Sequence, residues 1–438
     1  MRLMRALAGA FAVIAFAGMA QAATTLTVAT VNNGDMIRME KFVGDFSKKN
    51  PDIAVQWVTL EENALRQKVT TDIATKGGQY DIMTIGTYEV PIWAKQGWLA
   101  PLDNLGADYD VDDLLASIRA GLSYDGKLYA APFYGESSMT MYRKDLFDKA
   151  GLTMPAKPTW GFVKQAAEKI TDKKNGVYGI CLRGKPGWGE NMAFLTTMAN
   201  SFGGRWFDES WKPEFNGPAW KQTLATYLDL MKNYGPPGAS SNGFNENLAL
   251  FQSGKCGMWI DATVAASFVS DPKQSKVADK VAFAPAPCGT TCKNGNWLWA
   301  WALAIPASSK HREAAEKFIA WATGKDYLAL VAAKDGWANV PPGTRKSLYA
   351  NAEYLKAAPF ASETLKAIDS ADPGKNGNSV PKPYIGVQFA AIPEFQGIAT
   401  AVGQQFAAAL TGQSTAAQAL AGAQRLTERE MMRAGYIK

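Results

Sequence analysis

Between Leu26 and Gly86, short runs with strand periodicity take turns with longer runs of helical periodicity. No other feature narrows the possible folds as much. Leu26 to Val31 is a short apolar strand ending in the polar loop Asn32-Asn33-Gly34-Asp35. Met39, Phe42, Val43 and Phe46 follow at helical spacing, and Asn50-Pro51 stops that helix. Ile53, Val55 and Trp57 alternate as a strand. Leu65, Val69 and Ile73 repeat once per helical turn, and Tyr80 to Ile85 is a buried strand closed by Gly86. Strands and helices interleaved in this way build a parallel-type α/β sheet.

At 438 residues the chain exceeds what one ordinary core holds, and two domains are expected. The passage between them falls in Gly126 to Leu152. There the strand Leu128 to Ala131 meets Pro132, and a polar, aromatic cluster follows at Phe133, Tyr134, Gly135, Glu136, Ser137 and Ser138. Proline cannot donate into a ladder, so Pro132 to Gly135 reads as an interrupted strand where the backbone leaves one lobe for the next. Beyond it the alternation restarts. Thr159 caps a helix holding Phe162, Val163, Ala166 and Ile170, and Tyr178 to Leu182 is a strand running into the loop Arg183 to Glu190. Lys255 to Ile260, Val281 to Ala284 and Ala302 to Ile305 are strand-like, and Pro306 opens a long amphipathic helix. The final helix begins at Thr415, which forms a capping box with Gln418.

The first residues have the pattern of a secretory signal. Arg2 and Arg5 precede an apolar run from Ala6 to Ala17, and Ala20-Gln21-Ala22 offers a cleavage site. Cleavage there leaves Ala23 first, with no cysteine following to carry a lipid. An exported, soluble protein is expected. Of the formal charge of +6, the leader holds two, so the mature chain carries +4. Its Lys and Arg are scattered, without the clustered stripe that nucleic-acid binding needs. In an oxidising compartment the four cysteines allow three pairings. Cys288 and Cys292 flank a tight small-residue loop and are the expected bridge; Cys181 and Cys256 either pair or stay as buried thiols.

Much chemistry is missing. His311 is the single histidine, which argues against zinc and against general-base catalysis. There is no G-x-S-x-G elbow and no phosphate loop, and Gly184 to Gly189 lacks the dinucleotide spacing. No cofactor is expected. A glycosidase pair of carboxylates needs no local motif, so a secreted carbohydrate-active hydrolase stands as the alternative reading. What remains in excess is tryptophan, with fourteen in the chain. Trp188, Trp206, Trp259, Trp297, Trp299, Trp301 and Trp337 fall in or beside loops, near acids, amides or arginines. Aromatic faces pack on the C–H faces of carbohydrates while such polar groups satisfy hydroxyls, although tryptophans equally fill cores.

Taken in order along the chain, several segments resemble the extracellular solute-binding proteins of ABC importers, in the large carbohydrate-binding group. They are F-S-K-K-N-P-D-I from Phe46, Y-D-I-M from Tyr80, G-W-L-A-P-L-D from Gly97 and M-Y-R-K-D-L-F from Met141. P-T-W from Pro158, F-Q-S-G-K-C-G-M from Phe251, A-I-P-A-S-S-K from Ala304 and A-A-E-K-F-I-A-W from Ala314 complete the set. The run from Glu61 to Glu89 is similar to the branch that binds hexitols such as mannitol and sorbitol.

The resemblance implies a two-lobe α/β periplasmic-binding-protein fold with a ligand cleft at a multi-segment hinge. One lobe would comprise residues 23–133 and 285–336, and the other 134–284 and 337–438. It implies a monomer that is not an enzyme, and a membrane permease as partner. The ligand-binding residues it implies are Asn33, Asp35, Glu62, Tyr88 and Glu89 from the first lobe. Phe133, Glu136, Arg183, Trp188, Asn191, Trp259 and Asp261 come from the hinge and second lobe. Trp299, Trp337 and Asn339 come from the later crossings.

Overall fold

A computed structural model describes residues 24–289, 296–377 and 380–438 of the chain. The expected signal at residues 1–22 and Cys292 of the expected Cys288–Cys292 bridge lie outside the described residues.

Twelve strands are present among the described residues: β1 (Thr24–Val31), β2 (Ile53–Leu60), β3 (Ile82–Gly86), β4 (Leu99–Ala100), β5 (Ser123–Tyr124), β6 (Lys127–Leu128), β7 (Ala130–Glu136), β8 (Ser138–Arg143), β9 (Tyr178–Cys181), β10 (Cys256–Ala262), β11 (Val281–Pro285) and β12 (Trp299–Pro306). The first sheet has the order β2-β1-β3-β12-β4, with β7 also paired to β12. The second has the order β11-β8-β10-β9. Helices flank both sheets, giving the two-lobe α/β architecture.

The sheets are mixed rather than wholly parallel. β1 pairs in parallel with β2 and β3, but β12 runs antiparallel to β3, β4 and β7. In the second sheet β10 is parallel to β9 and antiparallel to β8. Here Cys181 and Cys256, left open by the sequence, are joined as a disulfide with their Cα atoms 5.9 Å apart.

Pro132 does not interrupt its strand. β7 runs on to Glu136, and its register against β12 shifts between Trp301 and Ala302, where Tyr134 and Pro132 are the partners. Phe133 is the extra residue of a β-bulge, the one place within a sheet where a missing N–H is readily tolerated. The long helix near Pro306 is displaced for a related reason. Pro306 ends β12, and the helix runs from Arg312 to Thr323. The expected caps are present: the Thr159 hydroxyl accepts from Phe162 N–H, and Thr415 and Gln418 form their box.

One close approach organises the junction. Gly135 N–H donates to Pro342 C=O at 2.9 Å. A Cβ on Gly135 would lie 2.2 Å from the Gly343 carbonyl oxygen, and Gly343 itself has φ +72°. Only residues without side chains let these two backbone segments touch.

Candidate functional site

β1, β7 and β12 end at a cleft of about 730 Å³, counting the part open to solvent. Its far wall is the loop after β9, which carries Arg183 to Glu190.

Two arginines set its electrostatics. Arg66 projects from the helix Glu62–Thr75, whose N-terminus is capped by the Glu61 carboxylate. It ion-pairs with Glu62 at 2.8 Å and Glu89 at 3.1 Å, and its guanidinium stacks 3.9 Å from the Trp188 ring centre. Trp301 and Trp299 lie 4.5 and 4.8 Å from the same group. A guanidinium held by carboxylates at its edge and aromatic rings at its faces is fixed in place. Arg183 is bound to Asp261 through Nε and Nη2, donates to the Gly189 carbonyl at 2.9 Å, and reaches Glu190 at 3.4 Å. Burial, together with the charge of Glu62, pushes the Glu190 carboxyl up to about 8.

Glu136, at the end of β7, differs from the other acids. Its carboxylate has no hydrogen-bond or ion-pair partner among the described residues, yet the residue is only 6% exposed and faces the cleft. Burial pushes its carboxyl well above the ordinary range, against the opposing charge of Arg183.

The aromatic wall has the complementary property. Trp188, Trp297 and Trp299 line the cleft, and none of their buried indole N–H groups has a partner. Away from the cleft, the indoles of Trp160, Trp206, Trp220 and Trp259 donate to Ser201, Thr196, the Arg205 carbonyl and Asp261, while Trp57 on β2 is also without a partner. A buried donor without an acceptor costs about 1–3 kcal/mol. Three such tryptophans and an unpartnered carboxylate line one cleft, which suits a ligand with several hydroxyls. The approach is tight: a Cβ on Gly86 would fall 2.1 Å from the Trp299 ring.

Across the mouth the two walls are in contact. Lys185 pairs with Glu61 at 2.6 Å, Asn245 Nδ2 donates to the Asn32 carbonyl at 2.9 Å, and Asn63 Nδ2 donates to the Pro186 carbonyl at 3.2 Å. The chain is therefore in a closed arrangement.

Of the residues nominated from sequence, Asn33, Glu62, Glu136, Arg183, Trp188 and Trp299 line the cleft. The others stand elsewhere. Asp35 turns back along its helix to Arg38 at 2.7 Å, and Asn339 accepts from the same arginine. Burial pushes the Asp35 carboxyl up to about 6. Glu89 and Asp261 sit behind the two arginines, and Trp259 donates to Asp261. Tyr88 lies behind Trp188, with its hydroxyl on the Ile392 carbonyl. Phe133 is buried at the bulge against Tyr134. Asn191 ties Gly187 to Gly403, and Trp337 lies in the half-buried turn Trp337–Asn339. These side chains brace the site or the lobes rather than facing the cleft.

Lining residues that sequence reasoning missed include Arg66, Lys185, Glu190, Trp297 and Gln388. Arg66 follows Glu62 by one helical turn, and Trp297 shares the alternation of Trp299 and Trp301, so both carried a signal. Gln388 carried none. It lies in an irregular segment and reaches the site by exchanging hydrogen bonds with the Leu298 backbone.

Residues 33–329 match the family of bacterial extracellular solute-binding proteins. The chain is 58% identical over 429 residues to a mannitol-binding protein of Pseudomonas aeruginosa, covering 98% of each chain. Among solved structures, it superposes with TM-score 0.93 on an ABC transporter solute-binding protein of Agrobacterium vitis carrying bound D-mannitol. That protein is 74% identical, and the match covers 95% of this chain and 100% of that one. A second, from Agrobacterium radiobacter in complex with ribitol, is 26% identical with TM-score 0.82, covering 93% of this chain and 99% of that chain.

Proposed function

From the premise that this chain belongs to the bacterial extracellular solute-binding proteins, and so is a binding component rather than an enzyme, we propose that its ligand is a hexitol, with D-mannitol the first candidate. The observation carrying this reading is the pairing of three orphaned indole donors with the unpartnered Glu136 carboxylate in one cleft. A linear polyol offers acceptors to the indoles and a donor to the carboxylate, and it carries no charge to be neutralised. A hydroxyl bond to a charged acceptor contributes roughly 1.5–3 kcal/mol, and each neutral indole bond about 1 kcal/mol. The aliphatic C–H edges of the ligand would lie on the faces of Trp188 and Trp299.

The mechanism is a population shift. An open form admits the ligand, and bonds across the mouth, such as Lys185 to Glu61, form on closure; the closed, loaded protein then docks on a membrane permease. We assign residues 23–136 and 286–336 to one lobe and 137–285 and 337–438 to the other, with export directed by residues 1–22 and function as a monomer in the periplasm. The boundaries expected at 133 and 285 move because β7 stays in the first sheet to Glu136 and β11 in the second to Pro285. Calorimetric titration of the mature chain against mannitol, sorbitol, ribitol and the matching aldoses tests the ligand. Stoichiometric binding strongest for a hexitol is expected. Preference for a cyclic sugar, or no binding of any alditol, would overturn the reading.

A further inference from the structure

The charges lining the cleft do not balance, and the imbalance falls on one side chain. Glu61, Glu62, Glu136, Glu190 and Glu246 face it against Arg66, Arg183 and Lys185. Every one of those cations is already engaged. Arg66 holds Glu62 and the buried Glu89, Arg183 holds Asp261 and Glu190, and Lys185 holds Glu61. Glu246 accepts the Gly243 backbone N–H at 2.8 Å as a helix cap. Of the five carboxylates, only Glu136 has no partner among the described residues, and it is nine-tenths buried. The charged groups around it are Arg183 and Arg66 on one side of the account and Asp261 and Glu62 on the other, with the Tyr134 phenol on its own strand. An unpaired carboxylate in such a place is costly, and the surrounding protein supplies no further cation to offset it.

We propose that the cleft also takes protonated amino-alditols, hexitols in which one terminal hydroxyl is replaced by an ammonium, with that ammonium seated against the Glu136 carboxylate. The proposal rests on the polyol reading of the same cleft and extends it to a cationic class of ligand. An ammonium brings three donors where a hydroxyl brings one, and a primary amine of this kind stays protonated at neutral pH. Its bond to a carboxylate is about twice as strong as one between neutral groups. A terminal carboxylate in the same place would add a negative charge beside Glu62 and Asp261 and would find no free cation, since both arginines are already engaged, so it should be rejected.

The test is calorimetric titration of the mature chain at pH 7 with D-mannitol, 1-amino-1-deoxy-D-mannitol and D-mannonate, repeated on Glu136→Gln. The amino-alditol should bind at least as tightly as mannitol, and mannonate about a hundredfold more weakly or not at all. In E136Q the ratio of amino-alditol to mannitol affinity should fall by about tenfold, the difference between a charged and a neutral acceptor. Mannitol binding with an amino-alditol more than tenfold weaker in the wild-type chain would overturn the proposal, and so would an unchanged ratio in E136Q. The wild-type comparison decides the matter even if the variant fails to fold. Binding of the amino-alditol without mannitol would refute the neutral-polyol reading alone, and binding of neither would refute both.

Discussion

Replacing Trp299 by phenylalanine separates a binding tryptophan from a packing one. Trp299→Phe keeps an aromatic ring against Trp188 and Trp301, whose centres lie 5.7 and 5.4 Å away, and deletes an indole N–H that has no partner in the protein. Two effects oppose each other in the free protein. Removing the orphaned donor relieves about 1–3 kcal/mol, while the smaller ring leaves a cavity costing about 1–2 kcal/mol. The change in stability should therefore lie between a loss of about 1 kcal/mol and a gain of about 2 kcal/mol. Binding has no such compensation, because the ligand loses a bond of about 0.5–1.5 kcal/mol, which weakens mannitol affinity roughly 2- to 13-fold. Trp206→Phe is the counterpart: its indole donates to Thr196 at 3.0 Å, deep in the core and away from the cleft. That variant should lose about 2–4 kcal/mol of stability with unchanged affinity, since the cavity and the unpaired Thr196 hydroxyl add. Urea denaturation and calorimetric titration of both variants give the comparison. If W299F were destabilised as much as W206F and bound mannitol normally, the inference from orphaned indoles would be wrong.

Three further outcomes are expected. A Cβ on Gly189 would sit 2.1 Å from Glu62 Oε1 across the cleft, so Gly189→Ala should obstruct closure and weaken mannitol binding at least about tenfold while leaving the melting temperature of the free protein within a few degrees; small-angle scattering should show the ligand-induced compaction lost, and normal compaction would count against closure at this contact. The carboxyl of Glu190 is pushed from 4.5 up to about 8 by burial and the Glu62 charge, so the folded chain keeps a proton that the unfolded chain releases, and stability should decline as pH rises from about 4.5 to about 8. Asp35, raised from 3.8 to about 6, acts in the same direction at lower pH; denaturation at pH 5 and pH 8.5 should show a smaller loss in Glu190→Gln than in the wild type, and equal losses would contradict the assignment. The Cys181–Cys256 bridge closes a loop of 75 residues in sequence, which on chain-entropy grounds contributes about 4–5 kcal/mol, and the double alanine variant should lose up to that much unfolding free energy without losing mannitol binding at 25 °C.

The alternation of strand and helix was readable because each element is specified locally, by periodicity and by caps such as Thr159 and Thr415. Strand direction was not. Whether β12 lies parallel or antiparallel to β3 depends on the path of the chain through the second lobe, and no local pattern records it. The site divided along the same line. The resemblance pointed to Glu136 and Arg183 at strand ends, but Asp261 and Glu89 carry the same outward signs and stand behind the arginines. Which side of a strand end faces the cleft is set by neighbours far away in sequence, as Arg66 does for Glu89. Asp35 shows the helical form of this ambiguity, since its phase on the helix Gly34–Lys49 turns it to Arg38 while Asn33, the cap, stays at the cleft.

The contact of Gly135 with Pro342 and Gly343 bears on how the molecule moves. On the proposed lobe assignment the end of β7 and the segment Pro342–Gly343 adjoin two crossings, and crossings tied backbone to backbone would turn as a single axle, leaving the lobes one direction in which to part. Motion about one axle is close to two-state, and the distance between any pair of probes on opposite lobes should then change in proportion to that between any other pair. A side chain at position 135 would not merely weaken the hinge; it would split the axle, and distances that rise and fall together in the wild type would become uncoupled.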